Sequence, residues 1–277
     1  YSHNYVGIVF LMMNKIFNIL IFFSSFIFAQ EISDNSSYRL TYVLDYKSDS
    51  TNSSYIQQEV FYLYVTNTDS KFISKNKIIK DSIMTDIANG GNPLGFFGLK
   101  NRPKSKNEYI VYNIKSQKLF IETIGTNNFG YTILDNPKWL MTGKQQNLEK
   151  FRADEAKTQN YLGRNWTALF DSSHSLNVGP YKFNNLPGLI VKVYDDKKDY
   201  VFTLQEVKKI DKTPIIIVEK YKLLKDREQL IQIKNNALDN PFAEAISGGI
   251  KINVDPKVMK EAIDRNKKLN SNPLEVK

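Results

Sequence analysis

Few side chains in this sequence are of a type and spacing that could do chemistry. Arg164 and Trp166 stand two apart in Gly163-Arg164-Asn165-Trp166-Thr167-Ala168. On a strand, positions i and i+2 share a face, so the spacing predicts a guanidinium beside an indole. That pair suits recognition of a sugar or a carboxylate, or a cation–π stack that pins a hairpin to its sheet. His174 lies in Asp171-Ser172-Ser173-His174, but the chain has no Gly-x-Ser-x-Gly elbow to present a nucleophile, so His174 reads as a loop residue. The acid pairs Asp154/Glu155 and Asp195/Asp196 could serve acid–base or calcium chemistry, yet adjacent acids near lysine read first as solvated loop residues. Gly90-Gly91 and Gly248-Gly249 lack the lysine and spacing of a phosphate loop and read as turns.

The elements expected to carry these residues are mostly strands. Tyr38, Leu40, Tyr42, Leu44 and Tyr46 alternate along one face, and Val60–Val65 follows a polar loop at Ser48–Ser54. Further strands are expected at Tyr109–Ile114, Leu119–Ile124, Tyr131–Leu134, Lys138–Thr142, Ala156–Tyr161 and Asn165–Phe170. A hairpin and a last strand at Ile215–Leu223 complete the series. Ile79, Ile83 and Ile87 recur every four residues and predict a short helix over Asn76–Ala88, followed by a loop over Asn89–Lys106. Near the C-terminus, Arg227–Ala237 is helical in pattern. Asp255-Pro256 caps and opens another helix running to Leu269, with an apolar stripe of Val258, Met259, Ala262, Ile263 and Leu269. Strands first and helices last predict a mainly β, β-rich α+β fold: an antiparallel, curved sheet with helices packed at one end.

Composition narrows the chemistry. The 277 residues contain no cysteine and two histidines, which excludes disulfides, thiolate metal sites and cysteine nucleophiles. The net charge of +9 comes from 32 lysines and 6 arginines against 29 acidic residues, and the lysines are scattered, mostly singly. Base and phosphate readers favour clustered arginine, so nucleic acid is not an expected partner. Met13, Asn14-Lys15 and the apolar run Ile16–Ala29 before Gln30 have the parts of a secretory signal. The run is shorter than the roughly 20 apolar residues of a spanning helix, so no membrane anchor is expected after cleavage. Residues 1–29 then divide into an upstream stretch and a signal, and 30–277 form one β-rich domain with a helical segment at about 225–270. Removing Lys15 lowers the charge to +8 and leaves His174 as the sole histidine, too few for a multi-histidine metal site.

The most specific stretch is Gly179-Pro180-Tyr181-Lys182-Phe183-Asn184-Asn185-Leu186-Pro187-Gly188-Leu189-Ile190. Pro187-Gly188 predicts a type II turn, with proline fixing φ and glycine accepting a positive φ. The strand that follows ends at Asp195 before a polar loop, and Tyr200–Leu204 returns as the second strand. With the Gly163-Arg164-x-Trp166 element upstream and a closing Asn272-Pro273-Leu274-Glu275, this resembles the GLPGLI family, secreted proteins of Bacteroidetes. The resemblance is strongest over about Glu155–Leu204. Asn185 stands where the family name has its first glycine, and asparagine is the other residue that tolerates positive φ. Ala153 takes the place of a cysteine found in many members.

The resemblance implies export, to the periplasm, the outer membrane or the medium, and a β-rich domain. It supplies no catalytic residue, metal or cofactor. The candidate binding residues are Gly163, Arg164, Trp166, Gly179, Pro180, Leu186, Pro187, Gly188, Leu189, Ile190 and Asp195. The expected role is a non-enzymatic binding or envelope-accessory module whose partner is an envelope protein or a small ligand. Two alternatives stand beside it: a carrier of an apolar, lipid-like ligand in a sheet–helix cavity, and a hydrolase using two carboxylates. A large apolar cavity favours the carrier, and two carboxylates facing each other in an aromatic cleft favour the hydrolase.

Overall fold

Inward-facing aromatic and aliphatic residues recur every second position in several segments and run unbroken in others, and together they assemble one sheet. The computed structural model describes residues 37–52, 54–92, 106–212, 214–241 and 255–276. The signal-like segment and most of the glycine-rich loop lie outside these. The strands are β1 (Ser37–Tyr46), β2 (Gln57–Val65), β3 (Ser70–Ser74), β4 (Tyr109–Ile114), β5 (Gln117–Ile124), β6 (Asn127–Thr132), β7 (Leu140–Leu148), β8 (Phe151–Tyr161), β9 (Arg164–Asp171), β10 (Leu189–Asp195), β11 (Tyr200–Ile210) and β12 (Lys222–Leu223). The helices are α1 (Lys75–Ala88), α2 (Arg227–Asp239) and α3 (Pro256–Leu269).

The strands pair in the order β12-β6-β5-β4-β3-β2-β1-β11-β10-β9-β8-β7, antiparallel throughout except where β12 joins β6. The sheet is open, with β7 and β12 at its edges. This is the mainly β architecture with C-terminal helices that the sequence predicts. Two tight hairpins hold the register: Lys115-Ser116 between β4 and β5, and Leu162-Gly163 between β8 and β9. All four residues have positive φ, the requirement of a two-residue turn whose twist matches the flanking strands.

One face carries the main core, with Leu40, Tyr42, Phe61, Phe72, Trp166, Phe183, Val193 and Phe202 almost fully enclosed. Rings dominate it: Phe61 stacks on Phe72 at 4.8 Å and on Tyr109 at 5.6 Å. Leu230 of α2 is buried against this face. A smaller cluster of Ile73, Ile110, Tyr112, Leu119 and Ile121 forms the other face, partly covered by Ile215 and Tyr221.

Several local expectations are corrected. Ile215–Leu223 is not one strand; only Lys222-Leu223 pairs, while the preceding segment crosses the second face with Glu219 bonded to Tyr112 at 2.5 Å and to Lys71. The edge strand β7 extends to Leu148 through a polar stretch without apolar alternation. On α1 the buried residue is Lys77, and Ile79 is exposed. Asp154 and Glu155 lie within β8 rather than in a loop, with Glu155 buried.

Candidate functional site

The eleven motif residues converge, but not on a ligand. They build a corner of the core and a clasp for the chain's own C-terminal segment. Trp166 is 1% exposed, donates its indole N–H to the Tyr161 carbonyl at 2.8 Å and packs against Phe183 at 4.6 Å. Gly179 and Pro180 are buried, and a Cβ on Gly179 would run into Ile190 and the Phe183 carbonyl. The Ile190 amide donates to the Val178 carbonyl, and the Tyr42 hydroxyl donates to the Ile190 carbonyl at 2.6 Å, tying the motif to β1. Leu186, Leu189 and Ile190 are buried.

The corner is tighter than a type II turn. The Gly188 amide donates to the Leu186 carbonyl at 2.9 Å, which closes a three-residue γ-turn around Pro187. Gly188 has φ +154, and a Cβ there would collide with the Asp171 carbonyl. Asn185 takes a positive φ of 66°, as its substitution for glycine predicts.

Arg164 does not stack on Trp166. Its guanidinium lies 4.9 Å from the Tyr200 ring centre. It donates to Asp195 at 2.8 Å, to the Asn272 side chain at 2.6 Å, and to the carbonyls of Pro273 at 2.6 Å and Leu274 at 3.1 Å. Asp195, read from sequence as a solvated acid, is 2% exposed and also accepts the Tyr200 amide. Asn272 bonds to Ser48, Lys47 and Asp199, and the Val276 amide donates to the Leu162 carbonyl. Gly163 matters here for space, since a Cβ would strike Val276. Four of its five N–H donors are used within the chain, and the remaining one on Nη1 faces Asp199 at 3.9 Å, so little is offered to an external sugar or carboxylate. His174 sits in the turn after β9, 3.3 Å from the Asp171 carboxylate.

The clasped segment forms one wall of a chamber. Between the main face of the sheet and α2 lies a cavity of about 360 Å³, lined by strand and loop rings of Tyr46, Tyr109, Phe120, Tyr181 and Tyr200. Leu230, Ile231 and Lys234 of α2 close it from above, and Asn272–Glu275 close it from the side. The volume is at the small end of the about 300–1,000 Å³ typical of ligand pockets.

Charges in the wall alternate. Lys182, from the Gly-Pro-Tyr-Lys-Phe lead-in, is 2% exposed; it pairs with Glu275, donates to the Tyr131 hydroxyl and lies 4.0 Å from the Phe120 ring centre. The Tyr181 hydroxyl also bonds Glu275, and Arg227 approaches the same carboxylate at 3.8 Å. Burial pulls Glu275 upward, but Lys182, Tyr181 and Arg227 overcome it and hold the carboxyl below its ordinary range. Burial lowers Lys182, partly offset by Glu275. On the other side the half-exposed Lys234 donates to Glu122 at 2.7 Å, and that carboxylate outweighs the lysine's desolvation and raises its pKa.

Tyr109 is the exception in this satisfied wall. It is 4% exposed, and its hydroxyl has no hydrogen-bond partner among the described residues. Burial, together with Glu59 and Glu122, keeps it a neutral phenol by raising its pKa well above the ordinary value. An enclosed hydroxyl left unpaired costs about 1–3 kcal/mol, which a ligand polar atom can recover. Sequence reasoning missed Tyr109, Glu122, Lys182 and Lys234 as a set. Of these, only Lys182 carried a signal, as a lysine between two aromatic residues inside a motif.

Fold and site together define an open antiparallel sheet with a ligand-sized, aromatic-walled chamber under its C-terminal helices. No family model and no curated protein matches the chain. Among solved structures it is similar to PNGF-II in a C2 crystal form, with a TM-score of 0.48 and 11% identity over 73% of this chain and 33% of that one. The P21 form of PNGF-II gives 0.48 and 11% over 72% and 34%. An uncharacterised conserved protein from Thermus thermophilus gives 0.35 and 6% over 69% and 93%. The chain thus spans about a third of the length of the PNGF-II chains it aligns with, and likenesses this distant do not bear on activity. Among the described residues no helix is long and apolar enough to cross a membrane, and no group of three or more His, Cys, Asp or Glu could hold a metal ion.

Proposed function

We propose that the chain is an exported binding module of the GLPGLI type that holds a small amphiphilic molecule in the chamber between the sheet and α2. The observation that carries this reading is the buried, unpartnered Tyr109 hydroxyl in a chamber walled by aromatic rings. Rings take up an apolar body, and the hydroxyl offers one oriented polar contact, the usual division of labour in a small-molecule site. The mixed wall and modest volume fit a single-chain amphiphile better than a fully apolar or bulky lipid. Export rests on the signal-like segment at Met13–Ala29.

Tyr109→Phe tests it with two readouts of opposite sign. Removing an unsatisfied hydroxyl should stabilise the free protein by up to about 1–3 kcal/mol. The same change should weaken binding of single-chain alcohols and acids, octyl to dodecyl, by about two- to twelvefold, the net value of one hydrogen bond. Saturable titration calorimetry on both proteins reads this. Absence of stoichiometric binding by every amphiphile, or equal affinity of the two proteins, contradicts the proposal.

A two-carboxylate hydrolase is the second reading, because Glu122 and Glu275 both line the aromatic chamber. Such an enzyme needs one carboxyl group protonated at working pH. Glu275 is held ionised by Lys182, and Glu122 is engaged by Lys234. The binding reading is therefore favoured.

A further inference from the structure

The charges around the chamber do not cancel. Its lining contains Lys106, Arg227 and Lys234 against Glu122 and Glu275. Behind Glu275 stands Lys182, which uses that carboxylate directly. Glu122 is taken by Lys234, while Glu275 serves both Lys182 and, at longer range, Arg227. Lys106 pairs with no carboxylate among the described residues. Lys106 is exposed, and its partial desolvation lowers its pKa with no acidic neighbour acting against that shift. Glu59 lies behind Tyr109, bonded to Asn107 and Ser74, and is not part of the lining. Among the lining residues three basic groups thus face two acidic ones, a surplus of one positive charge carried by the exposed Lys106 beside the aromatic floor. An anion entering the chamber offsets that surplus, and a cation adds to it.

Resting on the proposed binding function, we infer that the amphiphile is an acid. Its single anionic head, of the carboxylate class, faces Lys106 and the Arg227 side of the chamber, and its apolar body lies over Tyr109, Phe120 and Tyr200. The neutral Tyr109 phenol then takes a polar atom of the ligand. Arg227 retains donors beyond its contacts to Glu228 and Glu275.

Three probes of one chain length separate this inference from the function on which it rests: dodecanoate, dodecanol and dodecyltrimethylammonium. Affinities are measured at low and high ionic strength for the wild type and for Lys106→Gln, a change at an exposed side chain. The expected result is dodecanoate tighter than dodecanol by roughly two- to tenfold, with the gap narrowing in salt and in Lys106→Gln. Dodecanol binding as tightly as dodecanoate overturns the anionic head and leaves the chamber reading intact. Tighter binding of the ammonium probe overturns it as well. Failure of all three to bind removes both.

Discussion

Arg164→Ala is the most informative substitution because this one side chain holds four groups on two distant parts of the chain. The Arg164 and Asp195 side chains are both almost fully buried. Truncation leaves Asp195 a buried carboxylate with the Tyr200 amide as its remaining donor in this cluster, and it releases the Asn272 side chain and two tail carbonyls. Breaking one side of a buried ion pair costs about 3–5 kcal/mol. The freed tail acceptors can reach water, so the three tail bonds account for about 1–3 kcal/mol of this loss rather than for most of it. At about 2–4 °C per kcal/mol for a domain of this size, Tm should fall by about 6–20 °C. Urea unfolding and calorimetry measure the loss, and deletion of Asn272–Lys277 supplies the second arm of a cycle. In the deleted background three of the four acceptors are gone, so Arg164→Ala should cost less by about 1–3 kcal/mol. A full-length loss below about 1 kcal/mol, or additivity within about 0.5 kcal/mol, would refute the clasp.

Gly188→Ala should destabilise by about 1–3 kcal/mol, since its φ of +154 and the adjacent Asp171 carbonyl both oppose a Cβ; an unchanged urea midpoint contradicts this. Gly163→Ala should expose the tail, read as faster hydrogen exchange at the Val276 amide than in wild type. The Glu275 carboxyl is held below its ordinary range, so its contribution to stability is complete above the unfolded value of about 4.3 and is lost as pH falls through the lower folded value. Glu275→Gln should therefore flatten the acid limb of the stability profile, and identical limbs refute the pairing.

What sequence revealed was local. The alternation of Leu40, Tyr42, Leu44 and Tyr46 marks β1 because one face of that strand is wholly buried. Asn185 at positive φ and the Gly163 hairpin are legible for the same reason, since each condition is met within a few residues. β7 is obscure because it is exposed along nearly all its length, so main-chain pairing with β8 holds it and no apolar period is needed. Ile215–Val218 looks like a strand, yet Ile216, Ile217 and Val218 are exposed and Ile215 packs on the second face. The clasp is illegible in any window, because Arg164 meets residues more than 100 positions away. Lys182 reads as surface until Glu275, 93 residues on, is placed beside it.

The chamber is tested most directly by filling it. Ile231 lines the cavity from α2 and is only partly buried, so Ile231→Trp adds an indole to the chamber without opening the core. Dodecanoate affinity of this variant, measured beside its urea midpoint, separates lost binding from lost folding. The expected result is a midpoint close to wild type with binding weakened by at least about tenfold, roughly 1.4 kcal/mol. A folded variant that binds as tightly as wild type would place the ligand elsewhere and contradict the account.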